Sequence, residues 1–274
     1  MKKFKIRCSA IGQIMPNAVG GTNLEKYGKA KQTLEDSIER YDKMKTKDGI
    51  NGVKLAVKIV ELKEALPELE ANKDIVILSD SAKTYCQNWI KKEIYKKNRQ
   101  MSNKYTEKGL IMEDNSLDFI AEEYDYGLLL KNEEYFENDF LTGTPDVVLD
   151  THLIDVKNSW SHDTFPLFAT EIPDKAYFYQ GQGYMELTGK SSYKLIYTLM
   201  DTPEHLIEKE FRFNNFYGLE YEDFRKNYLY EGFVPAKRRK KSFYFQKDEE
   251  VISAIKIRVE ECQQYINQLL KTFE

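Results

Sequence analysis

Cysteine is scarce in this chain: three residues in 274, at positions 8, 86 and 262. An odd number so widely spaced excludes a disulfide framework and indicates neither a zinc site nor an iron–sulfur cluster. The thiols are expected as small buried hydrophobes in a reducing cytoplasm. No apolar run approaches the length that spans a membrane, and the opening M-K-K-F-K-I-R-C-S-A-I-G lacks the uninterrupted apolar core of a signal peptide. An excess of positive charge is also missing, since the net charge is -4. That speaks against a simple nucleic-acid coat protein, though not against an enzyme that gathers its basic groups in one groove. Internal repeats, low-complexity tracts and linkers are absent, so residues 1–274 are expected to form one domain. What is present is a hydrophobic fraction of 41%, a charged fraction of 31%, and 19 Tyr with 15 Phe, the make-up of a soluble globular protein.

The stretch from Gly143 to Asn158, G-T-P-D-V-V-L-D-T-H-L-I-D-V-K-N, has the strongest pattern. Two β-branched runs, Val147 to Leu149 and Leu153 to Val156, flank the polar turn Asp150-Thr151-His152, which predicts a β-hairpin. Outside the turn, charge occurs only at Asp146, Asp155 and Lys157. Alternation along a strand puts Asp155 and Lys157 on one face. A two-residue loop at Asp150-Thr151 would set Asp146 directly opposite Asp155, and a longer loop would make the pair diagonal. Either register converges two carboxylates and an ammonium, an arrangement that is costly unless a cation or a shared proton relieves it. Mg²⁺ suits such hard oxygen ligands, with Mn²⁺ as the substitute. The alternative at this point is a solvent-facing hairpin with a surface Asp–Lys pair.

Upstream, helical spacing covers Leu24 to Met44, Val53 to Leu66 and Ser81 to Lys96, broken by Gly49, Gly52, Pro67 and Asn72. Lys91, Lys92, Lys96, Lys97 and Arg99 form a basic patch. The next helix is predicted from Thr106, as its cap, to Tyr124, with Leu110, Leu117, Ala121 and Tyr124 as its buried stripe. Glu113 falls in that stripe and needs a partner, a core cation or the metal beside Asp146 and Asp155. Tyr135 to Thr142 reads as a strand entering the hairpin. Trp160 to Ile172 reads as a loop at the mouth of the site, with Trp160, His162 and Phe165 as candidates for stacking on a base or for packing under the loop. Pro173 to Gly189 reads as a helix that stacks Gln180 and Tyr184 on one face. A strand follows over Tyr193 to Met200, and Thr202-Pro203 caps another helix. The dense basic run Lys237 to Lys241 is a DNA-backbone contact or a solvated turn, and Asp248 to Phe273 is an amphipathic helix.

Pro145-Asp146, eight residues, then Asp155-Val156-Lys157 resembles the core of the PD-(D/E)xK nuclease superfamily, and the flanking sequence is similar to phage recombination exonucleases of the lambda exonuclease and YqaJ type. Gly109-x-x-x-Glu113 before the hairpin and Gln180-x-x-x-Tyr184 after it resemble further family elements, in the family's order. The resemblance implies an α+β (α/β) fold: a central mixed β-sheet flanked by helices, a restriction-endonuclease-like core at 101–210, a helical N-terminal part at 1–100 and a C-terminal helical extension at 211–274. It implies that Asp146, Asp155, the Val156 carbonyl and Glu113 hold one or two Mg²⁺, that Lys157 orients the attacking water, and that Gln180 and Tyr184 position the site. Lys157 and Gln180 would meet DNA, as would Ser9 on the 5′-phosphate, a serine that reads equally as the N-cap of a short helix over Ala10 to Met15; Trp160 would join them from its loop. The implied activity is 5′ to 3′ exonuclease digestion of linear duplex DNA in a bacterial host cytoplasm. Implied partners are DNA, further copies in a ring and a single-strand annealing protein. Asp155 stands where Glu is commoner, and the cysteine count speaks against a cluster-bearing branch. A restriction- or repair-type endonuclease on the same core, or a non-catalytic DNA-binding module, are the competing readings.

Overall fold

The computed structural model describes residues 2–18, 21–75, 77–97, 103–214 and 218–272. Along the chain come β1 (Ile6–Arg7), a 3-10 turn (Cys8–Ala10), α1 (Ile11–Ile14), α2 (Asn23–Asp42), α3 (Ile50–Asn72) and α4 (Asp80–Tyr95). Next are α5 (Lys104–Ile111), α6 (Glu113–Glu123), β2 (Phe136–Glu137), β3 (Leu141–Gly143), β4 (Val147–Val148) and β5 (Leu153–Asn158). Last come α7 (Lys175–Thr188), β6 (Ser192–Thr198), α8 (Glu204–Asn214), α9 (Tyr221–Lys226), a 3-10 turn (Ala236–Arg238), β7 (Lys240–Gln246) and α10 (Glu249–Lys271). The α+β class with mixed sheets flanked by helices is the one the resemblance implied.

Contacts gather into two compact units, Met1–Gly12 with Lys91–Val259, and Gln13–Ile90 with Glu260–Glu274. The second unit is helical. Thr22 and Glu25 close a capping box at the start of α2, and the Asn23 amide donates to the carbonyls of Asn72 and Ile75 at 3.0 and 3.1 Å. Two expected breaks are not there: α3 runs through Gly52 and Pro67. Proline at 67 forfeits one backbone hydrogen bond, but the strong helix formers on either side carry the helix to Asn72. The core of this unit holds Ile59, Leu78, Ala82, Cys86, Cys262 and Ile266. The basic residues of α4 lie on its exposed end, and Arg99 lies outside the described residues.

The first unit is built on the sheet β4-β5-β6-β7, in which β5 and β6 are parallel and the outer pairings antiparallel. Alternation gives each face its own cover. Ile154 and Ile196 point one way and pack with Val147 against Leu117, Ile120 and Ala121 of α6. Leu153, Asp155, Lys157, Tyr193, Leu195 and Phe245 share the other face, since Leu153 pairs with Tyr193 and Asp155 with Leu195. There α7 lies close because Gly181 has no side chain: a Cβ would come within 2.6 Å of Phe245 and 2.9 Å of Tyr193. A smaller sheet, β1-β3-β2, touches the same helix, and a Cβ on Gly143 would meet the Tyr184 ring at 2.6 Å.

Three expectations are corrected in this unit. The helix expected from Thr106 to Tyr124 is two helices broken at Met112, capped by Asn103 with Thr106 as its reciprocal partner. The break rotates the faces, so Leu110 is 74% exposed while Lys108 is fully buried. The single strand over 135–142 is the pair β2 and β3. The basic run at 237–241 leads into β7: Arg239 is buried with its guanidinium 4.9 Å from the centre of the Phe119 ring, and Lys240 pairs with Glu123 at 2.7 Å.

Candidate active site

The turn Leu149–His152 is closed by the Leu149 amide donating to the His152 carbonyl at 3.0 Å, and the strands pair Val147 with Ile154 and Val148 with Leu153. This is the register of a two-residue loop, and its continuation places Asp146 opposite Asp155. The Asp146 side chain reinforces it, because Oδ2 accepts from the Val156 amide at 3.0 Å. Asn132 anchors the approach, donating from its backbone to the Asp146 carbonyl at 2.7 Å and from its side chain to the Pro145 carbonyl at 3.1 Å.

Asp155 is completely buried. Its Oδ1 accepts from Gln180 Nε2 at 3.0 Å. Its Oδ2 has no partner in hydrogen-bond geometry, and the Lys157 ammonium lies against it as an ion pair. That ammonium also stands 5.0 Å from the centre of the Tyr177 ring. Burial pulls the Lys157 pKa down, but the charges of Asp155 and Asp146 outweigh it and hold the group above its ordinary value. Burial, and then repulsion by Asp155, push the Asp146 carboxyl up to about 7, against the opposing pull of Lys157 and the Val156 amide. Without a further positive charge the acid pair is therefore under strain. Tyr184 extends the wall made by Gln180, its phenol raised by burial and by Asp155.

Glu113 does not join this cluster directly. It is the first residue of α6, the helix that covers the opposite face of the sheet, and Lys131 Nζ holds its carboxylate at 2.6 Å. It remains within electrostatic reach, adding to the rise at Asp146. Among the described residues no three Asp, Glu, His or Cys side chains form a ready-made cation cluster. The donor set nevertheless fits a divalent ion held by two carboxylates and completed by water: hard oxygens facing one another, and a mutual repulsion that a cation would remove.

Ser9 is exposed in the 3-10 turn, beside Cys8, whose sulfur faces Gly143 and Gly183. Trp160, expected at the DNA face, is instead 5% exposed and packed edge-on against Tyr105 and Tyr228, with Lys104 over its ring. Phe165 is buried as well, whereas His162 and Phe168 of that loop are exposed. Sequence reasoning missed Lys131, Tyr193 and the strand β7, whose S-F-Y-F alternation was masked by the adjacent charges. Tyr177 could have been found from its position one helical turn before Gln180.

No protein-family model and no curated protein matches the chain. Solved structures do. A phage-related exonuclease from Haemophilus somnus 129PT is 25% identical, with 100% of this chain and 98% of that one covered, at a TM-score of 0.69. LHK-Exo, an alkaline exonuclease from Laribacter hongkongensis, is similar at 15% identity over 71% of this chain and 84% of its own, with a TM-score of 0.50. In its complex with dAMP the same protein gives 16% and 0.51. At those identities the second likeness is one of fold alone.

Proposed function

We propose that this chain, a lambda-exonuclease-like member of the PD-(D/E)xK nuclease superfamily by motif and fold, is a divalent-metal-dependent exonuclease on linear duplex DNA. The observation that carries the reading is the hairpin register, which sets Asp146 opposite Asp155 with Lys157 on the same face. Support comes from the phage-related exonuclease, matched over 98% of its length at 25% identity.

Asp146 and Asp155 would hold the ion, with the Val156 carbonyl and, after release from Lys131, Glu113 as further ligands. When bound, Mg²⁺ or Mn²⁺ supplies charge neutralisation and Lewis-acid polarisation at the phosphodiester. Lys157 is kept an ammonium by the two carboxylates, so it serves as a donor: it orients the attacking water and stabilises charge that builds on the phosphate. Gln180 fixes the Asp155 carboxylate through Oδ1, and Tyr184 closes the apolar side of the site. Ser9 and the exposed Lys237 and Arg238 supply contacts to the phosphate backbone, and digestion runs from the 5′ end. A ring of copies, pooling basic groups in one channel, and a single-strand annealing partner complete the proposal.

The test is digestion of end-labelled linear duplex beside closed circular duplex, with Mg²⁺ or with EDTA. The expected result is release of mononucleotides from linear DNA only, dependent on the ion, and reduced at least about 100-fold in Lys157→Ala. Equal rates for Lys157→Ala and wild type would place the chemistry elsewhere.

A further inference from the structure

Two polar atoms beneath α7 are buried without a partner in hydrogen-bond geometry: the Tyr193 hydroxyl and Asp155 Oδ2, the latter against the Lys157 ammonium. One is a donor and the other an acceptor. Both residues are completely buried, and the β5–β6 register puts them on the same face of the sheet, with Tyr193 beside Leu153 and Asp155 two residues further along. The phenol ring is fixed where it is. Phe245 packs on it at 4.9 Å between ring centres, and Gly181 of α7 leaves it only the space of a missing Cβ. Its hydroxyl lies in the field of Asp155, Asp146 and Tyr184. A phenol is neutral near pH 7 and therefore offers its proton as a donor.

We infer that Tyr193 is a positioning residue for Asp155, the neutral hydroxyl that holds the carboxylate from behind while Gln180 holds its other oxygen. A buried carboxylate that must accept a cation needs its rotamer fixed without losing its charge. Lys157 cannot do this alone, because as a counter-ion it competes for the same oxygen. Two neutral donors, Gln180 and Tyr193, orient the group and leave its charge for the ion, the arrangement that hydrogen-bonded carboxylate ligands of metal sites use. The assignment rests on the reading of Asp146 and Asp155 as the cation site.

The experiment is calorimetric titration of the purified full chain with Mn²⁺, comparing wild type, Tyr193→Phe and Phe245→Leu. Tyr193→Phe keeps the ring and loses the hydroxyl; it is expected to bind Mn²⁺ about tenfold more weakly. Phe245→Leu loosens the same packing without touching the carboxylate and is expected to bind Mn²⁺ like wild type. Wild-type affinity in Tyr193→Phe, or equal weakening in both variants, overturns the assignment. A second measurement needs no metal: urea unfolding in chelator of Tyr193→Phe, Asp155→Ala and the double variant. Tyr193→Phe is expected to lower the folding equilibrium constant about tenfold in the wild-type background and to leave it unchanged in the Asp155→Ala background. Additive losses overturn the link between the two side chains. If wild type binds no Mn²⁺, the metal reading under Proposed function has failed, and the unfolding cycle alone decides for or against Tyr193.

Discussion

Asp146 holds a carboxylate that the folded protein would protonate more readily than the unfolded chain, because its pKa is raised from 3.8 to about 7. Between those two values the folded state binds the extra proton, so in the metal-free protein this group costs stability progressively as pH rises from about 4 to 7. Asp146→Asn keeps an oxygen for the Val156 amide and removes the repulsion with Asp155. Calorimetry in chelator at pH 8 should show the variant melting a few degrees above wild type, about 2–4 °C per kcal/mol recovered, while its nuclease activity is lost. Adding Mg²⁺ should raise the melting temperature of wild type and not of the variant. A variant that melts below wild type in chelator would mean that the acid pair is not in conflict. Such opposition of stability and activity is what a site built around like charges entails.

The helix α7 acts as an element through what it omits. Gly181 lets it lie against Tyr193 and Phe245, and Gly183 lets the 3-10 turn and α1 approach, since a Cβ there would meet Ile11 at 2.6 Å and Cys8 at 2.9 Å. Alanine at either position improves helix propensity by about 1 kcal/mol, yet close contacts with buried rings or a packed side chain cost about 1–3 kcal/mol. Gly181→Ala should therefore be net destabilising in urea titrations. It should also reduce activity, because the lever that moves is the one carrying Gln180 and Tyr184. An unchanged unfolding midpoint would show that α7 can slide without consequence.

At the scale of the whole molecule, Lys108 connects α5 to the ends of two central strands. Its ammonium is fully buried and donates to the carbonyls of Trp160 at 3.0 Å and Met200 at 2.7 Å. Burial pushes it down from 10.5 to about 7, with Asp201 opposing. Between those values the unfolded chain carries the proton and the folded chain does not. Stability should therefore rise with pH from about 7 to 10.5, with the cost of burying the charge fully present below 7. Lys108→Met should remove this slope, at most about 1.4 kcal/mol per pH unit, as measured by urea unfolding at pH 7 and 9.5. Parallel pH profiles for the variant and wild type would show that the buried amine keeps its proton throughout.

The carboxylate pair was legible because strand periodicity is local: once Asp150-Thr151 makes a two-residue turn, Asp146 must face Asp155 and Lys157 must share that face. The order of helices and strands was legible for the same reason, as apolar spacing and capping residues act within a few turns. Partnerships over long distances were not. Glu113 joins Lys131 instead of the acid pair because the break at Met112 and the choice of sheet face decide where its carboxylate reaches. Trp160 turns inward because three aromatic or cationic neighbours from distant segments enclose it. Tyr193 comes under Asp155 only through the parallel pairing of β5 with β6. The sequence by itself determined which groups stand two residues or one hairpin apart. Tertiary structure decided which of them are buried together, since burial and the loss of water depend on the whole packed assembly and not on any one segment.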